Sequence, residues 1–306
     1  MASSNHVLAF PMNIAFFGLG VMGDPMAANL ITSGQHSVSL FDLDSEKTNK
    51  LVKLGGLAIT NIGASIAEAD IVMTSLPGPK QIDAFAFGDE GVFANAKPGS
   101  TWIELSTNNL ATCQKMTEAA KQNGVALLDS PVSGGDEGAT TGTLTIMVGG
   151  DEAAFMQHKP IYDLIGKDIR FLGKSGAGYA AKISQVVLCY LHSIALAEAM
   201  MLGVKAGVNA TEMLSIIQNS TGRSYVADRY GPPILNGDYD PSFTLGMALK
   251  DMKLALELAQ TLEIKLPMCD MVTDIYQQAC DTFGLDANHL MAVRVLEEDS
   301  DTYLRA

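Results

Sequence analysis

Apolar positions in the first half of the chain come in short continuous runs. NIAFFGLG, SVSLFDLD, DIVMTSLP, STWIELS, VALLDSPV and LTIMVGG, spread from Asn13 to about Phe171, are each of strand length, with helix-like segments between them. A chain that alternates in this way builds βαβ units and a parallel sheet. After Gly173 the pattern changes. No strand-like run follows, and apolar residues recur at helical spacing over 178–206, 210–219, around 243–262 and 267–283. The glycines and small residues of FLGKSGAG, 171–178, mark the change. Two domains are expected, 12–174 and an all-helical 175–306, with residues 1–12 as a loose extension.

The longest helical pattern raises a chemical question. It holds no breaker from Tyr179 to Leu202, and a helix so apolar should be mostly buried, yet Lys182 sits near its start. At about 100° per residue, Lys182, Gln185, Cys189 and His192 share one side, while Val186, Val187, Leu188, Leu191 and Ile194 cover much of the rest. A polar stripe on an apolar helix calls for a partner. His192 reads as a buried hydrogen-bonding residue, and Lys174 and Lys205 as solvated.

Composition narrows the classes of partner. With 306 residues, 47% of them apolar, the chain can bury a core in each of two domains. Its net charge of −14 repels phosphate polymers and anionic lipid, so neither nucleic acid nor a membrane is expected as partner. A small anionic substrate is still compatible, because a few N–H groups and one lysine outweigh a distant background. Cys113, Cys189, Cys269 and Cys280 are scattered without metal-ligand spacing, which reads as reduced structural thiols and no metal site. The first residues lack a basic stretch ahead of an apolar core, and no run reads as a membrane span, so a cytoplasmic protein is expected.

The first strand-like run ends in GLGVMGDPMAANL, where Gly18, Gly20 and Gly23 have G-x-G-x-x-G spacing before a helix. The first glycine permits a tight turn, the second lets a pyrophosphate approach the backbone, and the third allows close packing of helix on strand. Taken alone, such a loop is also compatible with a plain glycine-rich turn. The second run ends at Asp42, about 20 residues on, where a carboxylate accepts from the adenosine ribose hydroxyls. Asp44 follows with no Arg or Lys between, so a 2′-phosphate would meet two carboxylates and no cation. NAD is therefore expected over NADP. The competing reading is that both acids only begin a turn and cap the helix SEKTNKLVKLG.

A second glycine cluster, Ser133, Gly134 and Gly135, follows the run VALLDSPV at the strand end where parallel sheets bind ligands. Consecutive N–H groups beside small side chains suit a carboxylate. Hydride transfer to a carbonyl also needs a proton donor, and an ammonium on a rigid helix supplies one, which gives Lys182 a role.

Together, GLGVMGDPMAANL, DSPVSGG with GTLTIMVGG, GAGYAAK and KDMKLALELA resemble, in order and spacing, the four signature segments of the β-hydroxyacid dehydrogenases. The likeness spans about Asn13 to Glu298. It implies an α/β Rossmann-type doubly wound parallel sheet followed by an all-α C-terminal domain, with the active site in the cleft between them. It implies NAD held by Gly18, Leu19, Gly20, Val21, Met22, Gly23 and Asp42, with Leu76, Pro77 and Thr107 lining it and Lys250 near the nicotinamide, oriented by Asp251. Ser133, Gly134 and Gly135 would hold the substrate carboxylate, and Lys182 would be the catalytic acid and base. The family commonly reads K-x-x-N-N, whereas this chain reads Lys182-Ile183-Ser184-Gln185-Val186. Gln185 keeps an amide for substrate, but Val186 cannot hydrogen-bond, which suits a small or less hydroxylated acid. Arg223 is a further carboxylate candidate. The expected activity is hydride exchange between NAD and a short 3-hydroxy acid of the 3-hydroxyisobutyrate type in a homo-oligomer, dimer or tetramer. Two alternatives stand beside it, a semialdehyde or imine reductase and a silent cofactor-binding scaffold.

Overall fold

The computed structural model describes residues 11–306. Of the extension expected over residues 1–12, only Pro11 and Met12 fall within them; Met12 donates its N–H to His36 Nδ1 at 3.3 Å and accepts from the Ser37 N–H at 3.0 Å. The chain divides into two compact units, one ending at Lys182 and one running from Ile183 to Ala306.

In chain order the first unit holds β1 (Asn13–Phe17), α1 (Gly23–Thr32), β2 (Ser37–Phe41), α2 (Ser45–Val52), β3 (Leu57–Ala58), α3 (Ile62–Glu68), β4 (Ile71–Thr74), α4 (Pro79–Phe87) and α5 (Val92–Asn95). It continues with β5 (Thr101–Glu104), α6 (Leu110–Asn123), β6 (Ala126–Asp129), β7 (Val132–Ser133), α7 (Gly135–Thr141), β8 (Leu144–Gly150), α8 (Glu152–Tyr162) and β9 (Gly166–Phe171). The strands order β3-β2-β1-β4-β5-β6-β8-β7, with β9 beside β8. From β3 to β6 every pairing is parallel, while β8 runs antiparallel to both β6 and β7. The first six positions form the doubly wound arrangement, and the antiparallel edge extends it.

Why these runs make such a sheet is visible in β1. Successive side chains of a strand point to opposite faces. Ile14 and Phe16 pack on one side with Met26 and Leu30 of α1, whereas Ala15 and Phe17 pack on the other with Ile66, Ile82 and Met116 of α3, α4 and α6. A strand buried on both faces must be apolar throughout, which is why the sequence shows runs and not alternation.

The second unit takes most of α9 (Ala177–Lys205), then α10 (Ala210–Gln218), α11 (Tyr225–Arg229), α12 (Gly231–Asn236), α13 (Leu245–Thr261), α14 (Pro267–Phe283) and α15 (Met291–Asp299). Val186, Tyr190 and Ile194 of α9 share one core with Leu245, Leu249 and Met252 of α13 and Tyr276 of α14. Met200 and Met201 lie in a second core with Leu214, Val226 and Ile234.

Several expectations need correction. α9 is not mostly buried in the single chain, since Leu188 is 50% and Leu202 75% exposed, and His192 is exposed as well. A helix with a mean hydropathy of 1.7 also has the length and composition to cross a membrane, contrary to the expectation that no stretch does; a core helix meets the same two criteria. The two compact units meet inside α9, at Lys182, a few residues beyond the loop near 174. All four cysteines are free thiols, as expected.

Candidate active site

The turn after β1 is built by its glycines. Gly18 has φ +92°, a conformation that favours glycine, and a Cβ there would strike the Ser75 carbonyl oxygen. At Gly23, the first residue of α1, a Cβ would strike the Gly18 carbonyl oxygen, so the third glycine lets the helix sit against the turn. Gly20 differs. Nothing lies within 4 Å of a Cβ placed on it, and both it and Val21 are exposed. The loop thus presents open backbone at the N-terminus of α1, where N–H groups and the helix dipole favour an anion. Leu19 is buried in the core, and its N–H donates to Asp42 Oδ2 at 2.7 Å.

Asp42 lies one residue past β2. Its second oxygen accepts from the Asp44 N–H at 2.9 Å, and Asp44 itself caps α2 by accepting from the Glu46 N–H at 3.0 Å. Asp42 therefore braces the glycine turn from the neighbouring strand. One detail departs from the sequence reading. The Lys47 ammonium stands 3.6 Å from Asp42, so a cation does reach this position, delivered by the first turn of α2.

The other cofactor candidates follow strand ends too. Leu76 and Pro77 come just after β4, and the Leu76 N–H donates to Ser106 Oγ at 2.7 Å. The Ser106 N–H in turn donates to Glu104 Oε1 at 3.0 Å, at the end of β5, with Thr107 half-buried next in line. Ser133 ends β7, Gly134 and Gly135 have φ of +134° and +64°, and both glycines are exposed.

Two buried carboxylates that the sequence reading passed over sit among these elements. Glu104 and Asp129 close β5 and β6, face each other in register, and are both fully buried. Glu104 accepts from the Tyr179 hydroxyl at 2.6 Å, and burial pushes its carboxyl above the usual range despite that bond and those from Ser106 and Thr74. Asp129 accepts from the N–H groups of Gly176 at 2.9 Å, Gly178 at 2.8 Å and Tyr179 at 3.3 Å. Burial raises its pKa to about 6 against the pull of those three donors. The available signal was the position of an acid at the end of an apolar run, in WIEL and ALLD.

Lys182 is half-buried, one turn beyond Gly178. Gln185 is exposed, whereas Val186 packs into the apolar core with Tyr190 and Ile194, so the valine that departs from the family pattern occupies a packing position. Lys250 Nζ stands 3.2 Å from Asp251 Oδ1, and the Tyr190 hydroxyl donates to the other oxygen of Asp251 at 2.9 Å. Arg223 is exposed and pairs with Asp228 at 3.0 Å. Among the described residues no group of His, Cys, Asp and Glu could hold a metal ion.

A doubly wound sheet with this glycine turn, and with Asp42, Leu76–Pro77 and Ser106–Thr107 following the C-terminal ends of its parallel strands, defines a dinucleotide-binding oxidoreductase. The chain belongs to the β-hydroxyacid dehydrogenase family. Residues 13–173 match the NAD binding domain of 6-phosphogluconate dehydrogenase, and residues 176–296 match the NAD-binding domain of NADP-dependent 3-hydroxyisobutyrate dehydrogenase. It is 39% identical to 2-(hydroxymethyl)glutarate dehydrogenase of Eubacterium barkeri, over 92% of this chain and 93% of the relative. The NAD-dependent L-serine dehydrogenase of Pseudomonas aeruginosa is 35% identical over 86% and 91%. The solved structure of Mycobacterium tuberculosis 3-hydroxyisobutyrate dehydrogenase with L-serine superposes with a TM-score of 0.84 at 30% identity, covering 94% of this chain and 99% of that one. The protein is an NAD-dependent oxidoreductase of hydroxy acids.

Proposed function

We propose that the protein oxidises the primary alcohol of a 3-hydroxy acid, HOCH2–CH(R)–COO−, to the semialdehyde. The three relatives named above carry the suggestion. 2-(Hydroxymethyl)glutarate, L-serine and 3-hydroxyisobutyrate all bear a CH2OH group on the carbon next to a carboxylate, and differ only in R. The single structural observation behind the reading is convergence. The loops of Gly18–Gly23, Asp42, Leu76–Pro77 and Thr107 all leave the same edge of the parallel sheet, and Asp129 at that edge binds the start of the helix bearing Lys182.

The glycine turn fits a dinucleotide, because a side chain at Gly20 would fill open space that a pyrophosphate can take. When bound, NAD+ accepts the hydride lost by C3. Ser133, Gly134 and Gly135 hold the substrate carboxylate with backbone N–H groups and a hydroxyl. Lys182 Nζ takes the hydroxyl proton in oxidation and returns it in reduction, and Gln185 offers its amide to the substrate. Lys250, steadied by Asp251, contributes positive charge at the nicotinamide end. The domain assignment that goes with this is 12–174 for cofactor and 175–306 for substrate and assembly. NADH is preferred over NADPH through Asp42, even with Lys47 beside it.

The protein is further proposed to be a cytoplasmic homo-oligomer that buries the exposed face of α9, around Leu188 and Leu202, against another copy. Light scattering reads this directly, and a monomer at micromolar concentration contradicts it. The deciding experiment for the reaction is an NAD+ reduction screen over 2-(hydroxymethyl)glutarate, 3-hydroxyisobutyrate, 3-hydroxypropionate, serine, glycerate, threonate and 4-hydroxybutyrate. Turnover is expected on acids with CH2OH on the carbon next to the carboxylate. A best substrate of 4-hydroxybutyrate, whose alcohol lies one carbon further away, defeats the reading.

A further inference from the structure

We propose that Asp129 is a positioning residue of the reaction: its carboxylate grips the backbone at the start of α9 and thereby sets where the Lys182 ammonium stands relative to the Ser133–Gly135 loop. The inference rests on the reading of Lys182 as proton carrier. Its basis is geometric. The first N–H groups of any helix lack partners within the helix, and those of α9 are met by a carboxylate from far up the chain, at Gly176, Gly178 and Tyr179. An anion there also suits the partial positive charge of a helix N-terminus. The approach is close because glycines allow it. A Cβ on Gly178 would lie 2.8 Å from Asp129 Oδ2, and one on Gly149 would lie 2.7 Å from the same oxygen.

Position along the chain completes the link. Ser133 is four residues beyond Asp129, at the end of β7, and Lys182 four beyond Gly178 in α9, so one side chain joins the two halves of the proposed chemistry through a short strand connection on one side and one helical turn on the other. Tyr179 is held twice, its N–H by Asp129 and its hydroxyl by Glu104. Glu104 leads through Ser106 to Leu76 on the cofactor side.

The groups facing Asp129 are Glu104 on β5, Cys113 on α6, Tyr162 on α8 and Tyr179 on α9. Burial pushes the Cys113 thiol up to about 12 and lifts the Tyr162 and Tyr179 phenols and the Glu104 carboxyl, so the thiol and phenols stay neutral near pH 7. Asp129 itself titrates at about 6. Its native pKa lies above the ordinary 3.8, so the native state binds more protons than the unfolded one between about 4 and 6. This group's contribution to stability therefore falls as pH rises through that window. Acidification through pH 6 weakens its hold on the helix without unfolding the protein through this group.

The test uses reduction of 2-methyl-3-oxopropanoate by NADH, a direction in which Lys182 must carry its proton and gives no acid limb of its own. Wild-type kcat is expected to fall severalfold below about pH 6 while circular dichroism and NADH affinity hold. Asp129→Asn should bind NADH as wild type does, but turn over roughly ten- to a hundredfold more slowly at pH 7.5, with no acid limb. Amide exchange at Gly178 and Tyr179, read without substrate, should lose protection in the variant and, after correction for intrinsic rates, in wild type below pH 6. A flat wild-type profile with unchanged exchange overturns the proposal. So does an Asp129→Asn protein with wild-type kcat, or one that keeps the acid limb, which would assign the limb to Glu104. Lys182→Met separates the two levels: full turnover in that variant defeats the proton-carrier reading, whereas a dead Lys182→Met beside an unimpaired Asp129→Asn defeats only this inference.

Discussion

Buried carboxylates occur in both units, and cationic partners distinguish those of one from those of the other. In the sheet unit Glu104 and Asp129 take their bonds from backbone N–H and hydroxyl groups of the strand-end loops and of the start of α9. In the helical unit cations and rings join such donors, for Glu297 also accepts from the Leu304 N–H at 2.9 Å and Asp240 from the Ser242 hydroxyl at 2.9 Å. Asp240 meets His289 at 2.9 Å, Asp251 meets Lys250 at 3.2 Å, and Glu297 meets Arg305 at 3.0 Å and the Tyr239 hydroxyl. Burial works against the Asp240 charge, yet bonds from His289 and Ser242, with the nearby His289 and Arg229 charges, hold its carboxyl below the usual range. A carboxylate paired with a cation pins side chains together. One that gathers N–H groups shapes backbone, and backbone shape is what a binding loop needs.

That contrast predicts that substitutions separate by unit into losses of chemistry and losses of stability. The largest effect is expected from Lys182→Met, which should slow turnover by about 10²- to 10⁴-fold, or about 3 to 5 kcal/mol of barrier, with NADH affinity and melting temperature unchanged. Steady-state kinetics with fluorescence titration reads both. Next comes Glu297→Ala. It takes the carboxylate from the Arg305 guanidinium, the Tyr239 hydroxyl and the Leu304 N–H, and should cost about 3 kcal/mol in urea unfolding while NADH affinity holds. Loss of cofactor binding ahead of unfolding would break the comparison.

His158 tests a smaller effect within the sheet unit. Burial lowers its pKa to about 4 against the opposing charge of Asp70, and its Nε2 bonds Thr101 Oγ1 at 2.9 Å. The unfolded chain binds the proton near pH 6.5 and the native one only near 4, so stability falls as pH drops through that window. The loss at pH 5 should be about 1 to 2 kcal/mol relative to pH 7, and His158→Gln should remove it. The sign is opposite to that for Asp129, which lets one melting series distinguish them. The smallest effect is expected at Lys47. Its ion pair with Asp42 is half-exposed, so Lys47→Ala should change NADH affinity by less than about 1 kcal/mol. A shift toward NADPH in that variant would show Lys47 working against the 2′-phosphate, which is the reverse of its charge.

Much of this organisation was legible before any coordinates. β1, β4, β5 and β6 stand out because burial on both faces demands apolar runs, and β2 because Val38 and Leu40 alternate with Ser37 and Ser39. α9, α13 and α14 stand out because length makes periodicity clear, and the short α10 through its apolar Met213, Leu214, Ile216 and Ile217. What escaped is short or contradicts local rules. β9 reads GKDIRF, with three charged residues on a sheet edge, and α12 opens with Gly231-Pro232-Pro233, residues that usually end helices. α11 has five residues, too few turns for a period to emerge. The glycine turn and Asp42 were legible as motifs. Lys47 was not, because its approach to Asp42 depends on the angle at which α2 leaves its cap.

The amino-acid order alone settled which apolar runs become the central strands, where the dinucleotide turn lies, and that one lysine begins a long apolar helix. Local physics suffices for those features, since steric freedom at glycine and the period of apolar residues act within a few positions. Only the tertiary structure decided that Asp129 and Glu104, ordinary acids at the ends of two strands, meet the start of that helix about 50 and 75 residues later. Strand register and burial create such a meeting, and neither quantity exists until the sheet has formed.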